Sequence, residues 1–329
     1  MKATMKDVAA LAGVGVGTVS RVINGVKVKE ATKEKVDAAI KELSYEPNEY
    51  ARGLKMNKTQ TIALIIPTIW HPFFAEFAYH VEQYLAKEHY KVLLCNADGD
   101  PKKEAEYIQM VKQNKVDGII GITYSDIDTY VSSNIPFVSI DRHFSEDINY
   151  VTCDNEAGGR LAAKHLLECG VKCPAYIGSY STFKNETTHR KEGFTSYLKE
   201  QGVSYRVLHM SEPVMDLEKT ILSFFEEYPE IDGFLGVNDV MAMNVMTILT
   251  NKLGKQVPED IQVMGFDGVK MYMEQQPYLS TIVQPIKEMA KQSVEILLSN
   301  VAYKSSSKRV VLPIQLFEGT TTKKQDKNS

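Results

Sequence analysis

Long apolar runs are missing from this 329-residue chain. A bilayer-spanning helix needs roughly twenty consecutive apolar residues, and no uninterrupted stretch here is long enough. No basic-then-apolar leader precedes the first helix, so a cytoplasmic protein with no membrane partner is expected. Cysteine is scarce: Cys95, Cys153, Cys169 and Cys173 are the only four. They lack the paired Cys-x-x-Cys spacing of a structural zinc site. Cys169 and Cys173 could share a helix face only if the helix ran through Gly170, and Pro174 opposes that, so reduced thiols are expected. Catalytic signatures are missing too. There is no Gly-x-Ser-x-Gly, no phosphate loop and no His-Glu-x-x-His, and no nucleophile is ordered beside a base. Nothing therefore points to an enzyme, a metal or a cofactor. No internal repeat is visible, and no leucine heptads offer a tetramerising coiled coil.

What is present is an uneven distribution of charge. Residues 1–58 hold eleven Lys or Arg against seven Asp or Glu, a net of +4, while the remainder carries a net of −8. The first segment can meet phosphate, and the bulk of the chain is repelled by it. Within the basic segment, Thr4 is spaced to cap a helix, with Asp7 completing a capping box. Val8, Leu11 and Ala12 then share one helical face. A turn at Gly13 leads to a second helix, on which Val19, Val22 and Ile23 can close over the first. Ala9 and Gly13 are small enough for close approach. A third amphipathic helix spans about Ala31 to Ser44, with Val36, Ala39, Ile40 and Leu43 inward. Apolar spacing of this kind suits any small helical domain, but two short helices joined by a glycine turn also form the helix-turn-helix, whose second helix enters the DNA major groove.

From Thr61 the pattern changes to short apolar runs alternating with amphipathic helices. The runs are Thr61 to Pro67, Lys91 to Asn96, Asp117 to Thr123, Pro136 to Ile140, Ala175 to Gly178, Tyr205 to His209, Gly233 to Val237 and Ile261 to Phe266. Buried strands separated by helices imply parallel α/β sheets, and this length is enough for two.

Four stretches of the chain, Asp7-Val8-Ala9, Thr18 to Asn24, Tyr45-Glu46-Pro47-Asn48 and Ala51-Arg52-Gly53-Leu54, resemble the lactose/galactose repressor (LacI-type) family of bacteria. The likeness extends over nearly the whole chain except its tail. It implies an all-α helix-turn-helix headpiece and an α/β two-lobed body like that of periplasmic binding proteins, with parallel sheets. The expected division is a headpiece over 1–46, a hinge helix and linker over 47–58 and a body over 59–319. The N-lobe would take about 59–155 and 285–315, and the C-lobe 156–284 and 316–319. The polar tail, 320–329, is expected to be disordered. By resemblance, Thr4, Val16, Gly17, Thr18, Ser20, Arg21 and Asn24 contact double-stranded operator DNA, joined by Asn48, Ala51, Arg52 and Leu54 from the hinge. Leu54 matches a leucine that wedges into the minor groove. One departure stands out: Gly15 replaces the usual Ser before the recognition helix, so that N-cap lacks a side-chain oxygen. Gly17 within the helix costs about 1 kcal/mol relative to Ala.

The same resemblance places an effector, a sugar or sugar derivative, between the lobes. Trp70 and Phe73 lie in the loop that packs on the sugar, where His71 stands in place of the family's common Asn. Asp141 ends the fourth strand and can accept from sugar hydroxyls. Arg190 belongs to an Arg-x-x-Gly-aromatic motif completed by Gly193 and Phe194, and its planar guanidinium suits paired hydrogen bonds. Asn238 offers both donor and acceptor, while the adjacent Asp239 can cap a helix. Asp267 ends a strand, and Gln284 sits near a crossover. The implied function is a homodimeric repressor of a carbohydrate-utilisation operon. Narrower alternatives are a nucleobase-sensing regulator and the carbon-catabolite branch, which has Arg where this chain has Glu295. A sugar-binding protein with no DNA role is opposed by the headpiece. If Arg21 reads a guanine edge, Arg21→Ala weakens operator binding by about 1–3 kcal/mol and spares random DNA, as a mobility-shift titration on both duplexes would show; equal loss on both would make Arg21 a phosphate contact.

Overall fold

A computed structural model describes residues 3–46, 59–113, 115–123, 135–142, 148–181, 185–270, 272, 275–302 and 307–324. Asn48, Ala51, Arg52 and Leu54, and the chain beyond 324, lie outside the described residues. The chain divides into two compact units, Met1–Thr59 and Gln60–Ser329.

In the first unit, helix α1 (Met5–Ala12) starts from a complete capping box. The Thr4 N–H donates to the Asp7 carboxylate at 2.8 Å, and the Asp7 N–H donates to the Thr4 hydroxyl at 3.4 Å. Thr4 is thus committed to the helix start. Gly13, at φ 63°, ends α1 in the left-handed conformation glycine tolerates. Helix α2 (Val16–Ile23) follows from Gly15, which provides no side-chain cap. Asn24 closes it, its amide donating to the Ser20 carbonyl at 2.7 Å. Helix α3 (Glu30–Glu42) completes the domain. The core is Val8, Ala9, Ala12, Val19, Val36 and Ala39. Leu11, expected inward, is 46% exposed. The tight approach of the helices selects the smaller Ala9 and leaves Leu11 at the edge of the buried face. Val16, Gly17 and Arg21 are exposed, and Thr18 and Ser20 half-buried. No neighbour lies within 4 Å of where a Cβ would stand at Gly15 or Gly17, so packing inside the headpiece does not require glycine at either position.

The second unit contains two six-stranded sheets. The first has order β11-β5-β4-β3-β1-β2, from β1 (Thr61–Ile66), β2 (Lys91–Asn96), β3 (Gly118–Gly121), β4 (Phe137–Ile140), β5 (Asn149–Cys153) and β11 (Arg309–Leu312). The second has order β12-β10-β9-β8-β6-β7, from β6 (Pro174–Tyr180), β7 (Arg206–Ser211), β8 (Gly233–Gly236), β9 (Gln262–Asp267), β10 (Ser280–Val283) and β12 (Gln315–Phe317). The pairings are parallel except β10 with β12. Helices cover both faces, as a parallel sheet requires. Around the first sheet, α4 (Pro72–Lys87) and α10 (Ile286–Ala302) bury one face and α5 (Pro101–Gln113) the other. Around the second, α8 (Leu217–Glu227) and α9 (Asp239–Leu253) oppose α6 (Asn155–Glu168) and α7 (Thr187–Glu200). The chain passes between sheets after β5, after β10 and after β11.

The apolar runs foresee β1 to β4 and β6 to β9. They do not reveal β5, β10, β11 and β12, which are short and mix polar residues among apolar ones. Thr320 to Lys324 also depart from expectation, because they are ordered rather than a loose tail. The Thr321 hydroxyl donates to the Val263 carbonyl at 2.7 Å and accepts from the Ser280 N–H at 2.9 Å, while the Lys323 N–H donates to Gln262 at 2.8 Å. A polar segment persists here because β9 and β10 satisfy its polar groups.

One close approach positions the site described below. A Cβ on Gly159 of α6 would stand 2.0 Å from the Arg190 carbonyl oxygen of α7, and one on Gly193 would stand 2.0 Å from the Glu156 carbonyl oxygen. The two backbones touch where only hydrogen fits. Ala normally stabilises a helix interior by about 1 kcal/mol over Gly. Here Gly159→Ala is expected to lower stability by roughly 1–3 kcal/mol or more through overpacking, measured as a reduced urea midpoint; an unchanged or higher midpoint would show that the helices separate freely.

Candidate functional site

The strand ends of both sheets face a cavity of about 190 Å³. The first lobe contributes the start of α4, with His71, Phe73 and Phe74, and Asp141 just beyond β4. The second lobe contributes Arg190, Asn238 and Asp267, together with Ser179, Glu212 and Gln284. This is where open parallel sheets place ligands.

Arg190 is 3% exposed and held from three sides. Its Nε donates to Asn155 Oδ1 at 2.7 Å, and its Nη1 donates to the Val237 carbonyl at 2.7 Å and to Asp267 Oδ1 at 3.3 Å. The guanidinium lies 3.9 Å from the Phe266 ring centroid, within cation–π range. Burial works against its charge, but acidic neighbours, Asp267 foremost, more than offset this and hold it charged. Asp267 Oδ1 also accepts from Gln284 Nε2 at 2.8 Å, and Gln284 Oε1 accepts from the Cys153 thiol at 3.1 Å. A second line runs the other way. Asn155 Nδ2 donates to the Thr152 hydroxyl at 3.2 Å, which donates to Asp141 Oδ1 at 2.5 Å. One hydrogen-bonded chain thus joins Asp141 in the first lobe to Asp267 in the second through Arg190.

Both aspartates occupy backbone conformations that L-residues avoid, at φ 54° for Asp141 and φ 125° for Asp267. Such strain gathers at ligand sites. Burial pushes the Asp141 carboxyl up to about 6, against the pull of Arg190. Burial first, and the charge of Asp267 second, push Asp239 up to about 8. Asp239 lies behind the cavity, accepting from the Thr281 hydroxyl and the Val269 N–H, each at 2.6 Å. Burial raises Asp267 as well, with Arg190 opposing it. Asn238 caps α9: its Oδ1 accepts from the Met241 N–H at 2.8 Å.

Phe73, Asp141, Arg190, Asn238, Asp267 and Gln284 are therefore brought together. Trp70 is not: it is 89% exposed and does not line the cavity. Its N–H donates to the Thr68 hydroxyl at 3.2 Å, and α4 begins two residues later at Pro72. That turn directs His71, Phe73 and Phe74 inward and the indole outward. Ser179, Asn185, Thr187 and Glu212 also line the cavity without being foreseen. Ser179 could have been found as a polar residue at a strand end, and Thr187 as one helical turn before Arg190. Glu212 lies just beyond β7 and carries no motif.

Residues 59–320 match the family of periplasmic binding proteins and the sugar binding domain of LacI family, and residues 4–48 match bacterial regulatory proteins of the lacI family. The chain is 38% identical over 325 residues to a ribose operon repressor of Halalkalibacterium halodurans, covering 97% of each. It is 35% identical to a sucrose operon repressor of Streptococcus mutans, covering 97% of this chain and 99% of that one. A LacI family transcriptional regulator from Enterococcus faecalis, solved with bound ribose, is 30% identical with a TM-score of 0.66, covering 80% of this chain and 98% of that one. The chain belongs to the LacI family of bacterial regulatory proteins. It is a DNA-binding regulator, and its curated relatives are repressors rather than enzymes. Among the described residues no helix is long and apolar enough to cross a membrane.

Two outcomes follow from this electrostatic arrangement. Arg190→Ala leaves Asp267 buried without its cation and is expected to cost about 3–5 kcal/mol, read from chemical denaturation; a loss below ~1 kcal/mol would show the pair to be solvated. The second concerns pH. With its carboxyl near 6 in the folded protein and an ordinary value of 3.8 when unfolded, Asp141 binds a proton in the folded state between about pH 4 and 6 that the unfolded chain releases. Its contribution to stability is full below pH 4 and falls by up to ~3 kcal/mol as pH rises through 6. Asp141→Asn should flatten that part of the stability–pH curve, whereas an unchanged curve would assign the titration to other groups.

Proposed function

We propose that this chain is a cytoplasmic, dimeric repressor of a carbohydrate-utilisation operon, and that its effector is one uncharged sugar ring, with D-ribose the first candidate. The observation that carries the effector reading is the pairing of Arg190 with Asp267 at the cavity wall. A guanidinium already balanced by a carboxylate offers its remaining N–H groups to a neutral hydroxyl. It has little charge left for a phosphate, and Asp141 and Glu212 on the same wall would repel one. Phe73 supplies an apolar face, and Asn238, Gln284 and Asp141 supply placed polar groups, the mixture a small-molecule site needs. The cavity of about 190 Å³ is of a size that suits a single ring. The ribose operon repressor among the relatives and the ribose-bound family structure support the same choice.

On the DNA side, Val16, Gly17 and Arg21 stand on the open face of α2 as base-edge contacts, with Thr18, Ser20 and Asn24 beside them. Thr4 acts by capping α1. The hinge over residues 47–58 carries the remaining DNA contacts, Asn48, Ala51, Arg52 and Leu54, with Leu54 as the minor-groove wedge. A two-fold dimer then reads a pseudo-palindromic operator.

Calorimetry with the full-length protein tests the effector. D-ribose should bind saturably, and D-ribose 5-phosphate at least about tenfold more weakly, since leaving the phosphate uncompensated costs more than ~1.4 kcal/mol. Tighter binding of the phosphate, or of a purine base, would refute the reading.

A further inference from the structure

His71 and Asn238 meet across the cleft. His71 is the N-cap residue of α4 in the first lobe, and Asn238 is the N-cap residue of α9 in the second. Asn238 Nδ2 lies 3.3 Å from His71 Nε2. The orientation of the Asn238 amide follows from its own helix, because Oδ1 accepts from the Met241 N–H at 2.8 Å. The group facing His71 is therefore NH₂, which only donates. His71 Nε2 must accept, which places the ring proton on Nδ1. Nδ1 is itself buried, with no protein partner among the described residues, and His71 lines the cavity. Nδ1–H is thus a buried donor, on a residue that lines the cavity, that no group among the described residues satisfies, and a buried donor demands a partner.

The surroundings favour the uncharged ring. Burial lowers the pKa of His71, and Arg190 pushes the same way while Asp267 opposes them. The Phe74 ring packs 5.0 Å away, and Asp141 and Glu212 share the cavity. The positive ends of α4 and α9 both point here, which disfavours a cation. A doubly protonated imidazole would turn a donor at Nε2 toward the donor of Asn238, and the contact across the lobes would be lost.

We propose that His71 senses the effector and latches the lobes together: in its neutral form Nδ1–H donates to an effector oxygen while Nε2 accepts from Asn238. This rests on the cleft being the effector site. Effector binding then requires one deprotonated imidazole. Affinity should fall as the pH drops from 7.5 to 5.5, because a protonated imidazole must lose its proton before the effector binds, and burial, which lowers the His71 pKa, limits the size of that fall.

The test uses the full-length protein in two arms. In the first, ¹⁵N-histidine NMR of the sugar-free protein, with the His71 signal identified by its loss in His71→Gln or His71→Asn, should show a protonated Nδ1 and a bare Nε2 at pH 7.5. A proton on Nε2, or an imidazolium, overturns the proposal. In the second, D-ribose calorimetry runs from pH 5.5 to 7.5. His71→Gln keeps an acceptor for Asn238 but lacks Nδ1–H, so it should bind several-fold more weakly at pH 7.5 and with a shallower pH slope. Asp141 titrates in both proteins and cancels in that comparison. Asn238→Asp still caps α9 but presents an acceptor to His71, so it favours the imidazolium and should reduce or reverse the wild-type slope. Parallel slopes for all three proteins overturn the latch. If D-ribose binds none of them, the ribose reading falls, and the imidazole signal alone decides the role of His71.

Discussion

The buried pair of Arg190 and Asp267 is the constraint on which the cleft depends. Neither charge is tolerable alone at such burial, and each is held by further groups: Asn155 and the Val237 carbonyl for Arg190, and Gln284 for Asp267. These partners come from α6, from the end of β8 and from the crossover after β10. Satisfying one ion pair therefore fixes several elements of the second lobe relative to one another. Through Thr152 the same network reaches Asp141 in the first lobe, so the crossing between sheets and the cavity wall form one polar structure.

Backbone sterics make that pair possible. Arg190 reaches the cavity because α7 rests directly on α6, and Gly159 and Gly193 leave no Cβ between them. The spacing Arg190-x-x-Gly193 accordingly has two separate causes. The arginine serves the cavity, and the glycine one turn later serves the packing that aims it. The left-handed backbone at Asp141 and Asp267 is the corresponding cost on the strand side. The ligand groups sit on strands, helices and the turns at their ends, and the chain passes between the two sheets at three points, after β5, β10 and β11.

Much of this is legible in the sequence, for identifiable reasons. The headpiece is visible because capping, small-residue contacts and apolar spacing agree within forty residues. The central strands are visible because strands buried on both faces form continuous apolar runs. Asn238 and Asp267 are found because each follows the end of such a run within a motif of the family it resembles, and Arg190 because it opens the Arg-x-x-Gly-aromatic motif on α7. Most of what escapes depends on long-range partners, and Trp70 on a local turn. The Trp70 indole faces solvent because of a local turn, and neither its apolar character nor its neighbour His71 reveals that. Thr321 and Thr322 look like tail residues until β9 and β10 are present to receive their hydrogen bonds. Strands β5, β11 and β12 are short, and their polar residues hide the alternation. Glu212 joins the cavity only through the sheet order that sets β7 beside β6.

The central claim is that Arg190 and Asp267 act as a unit. A double-mutant cycle with Arg190→Met and Asp267→Asn, read as unfolding free energy, measures that directly. If the pair organises the cleft, the double variant is less destabilised than the sum of the singles by about 2–3 kcal/mol, because removing both charges relieves the penalty of leaving either one unpaired. Additivity within ~0.5 kcal/mol would contradict the account and reduce the pair to two independent polar groups.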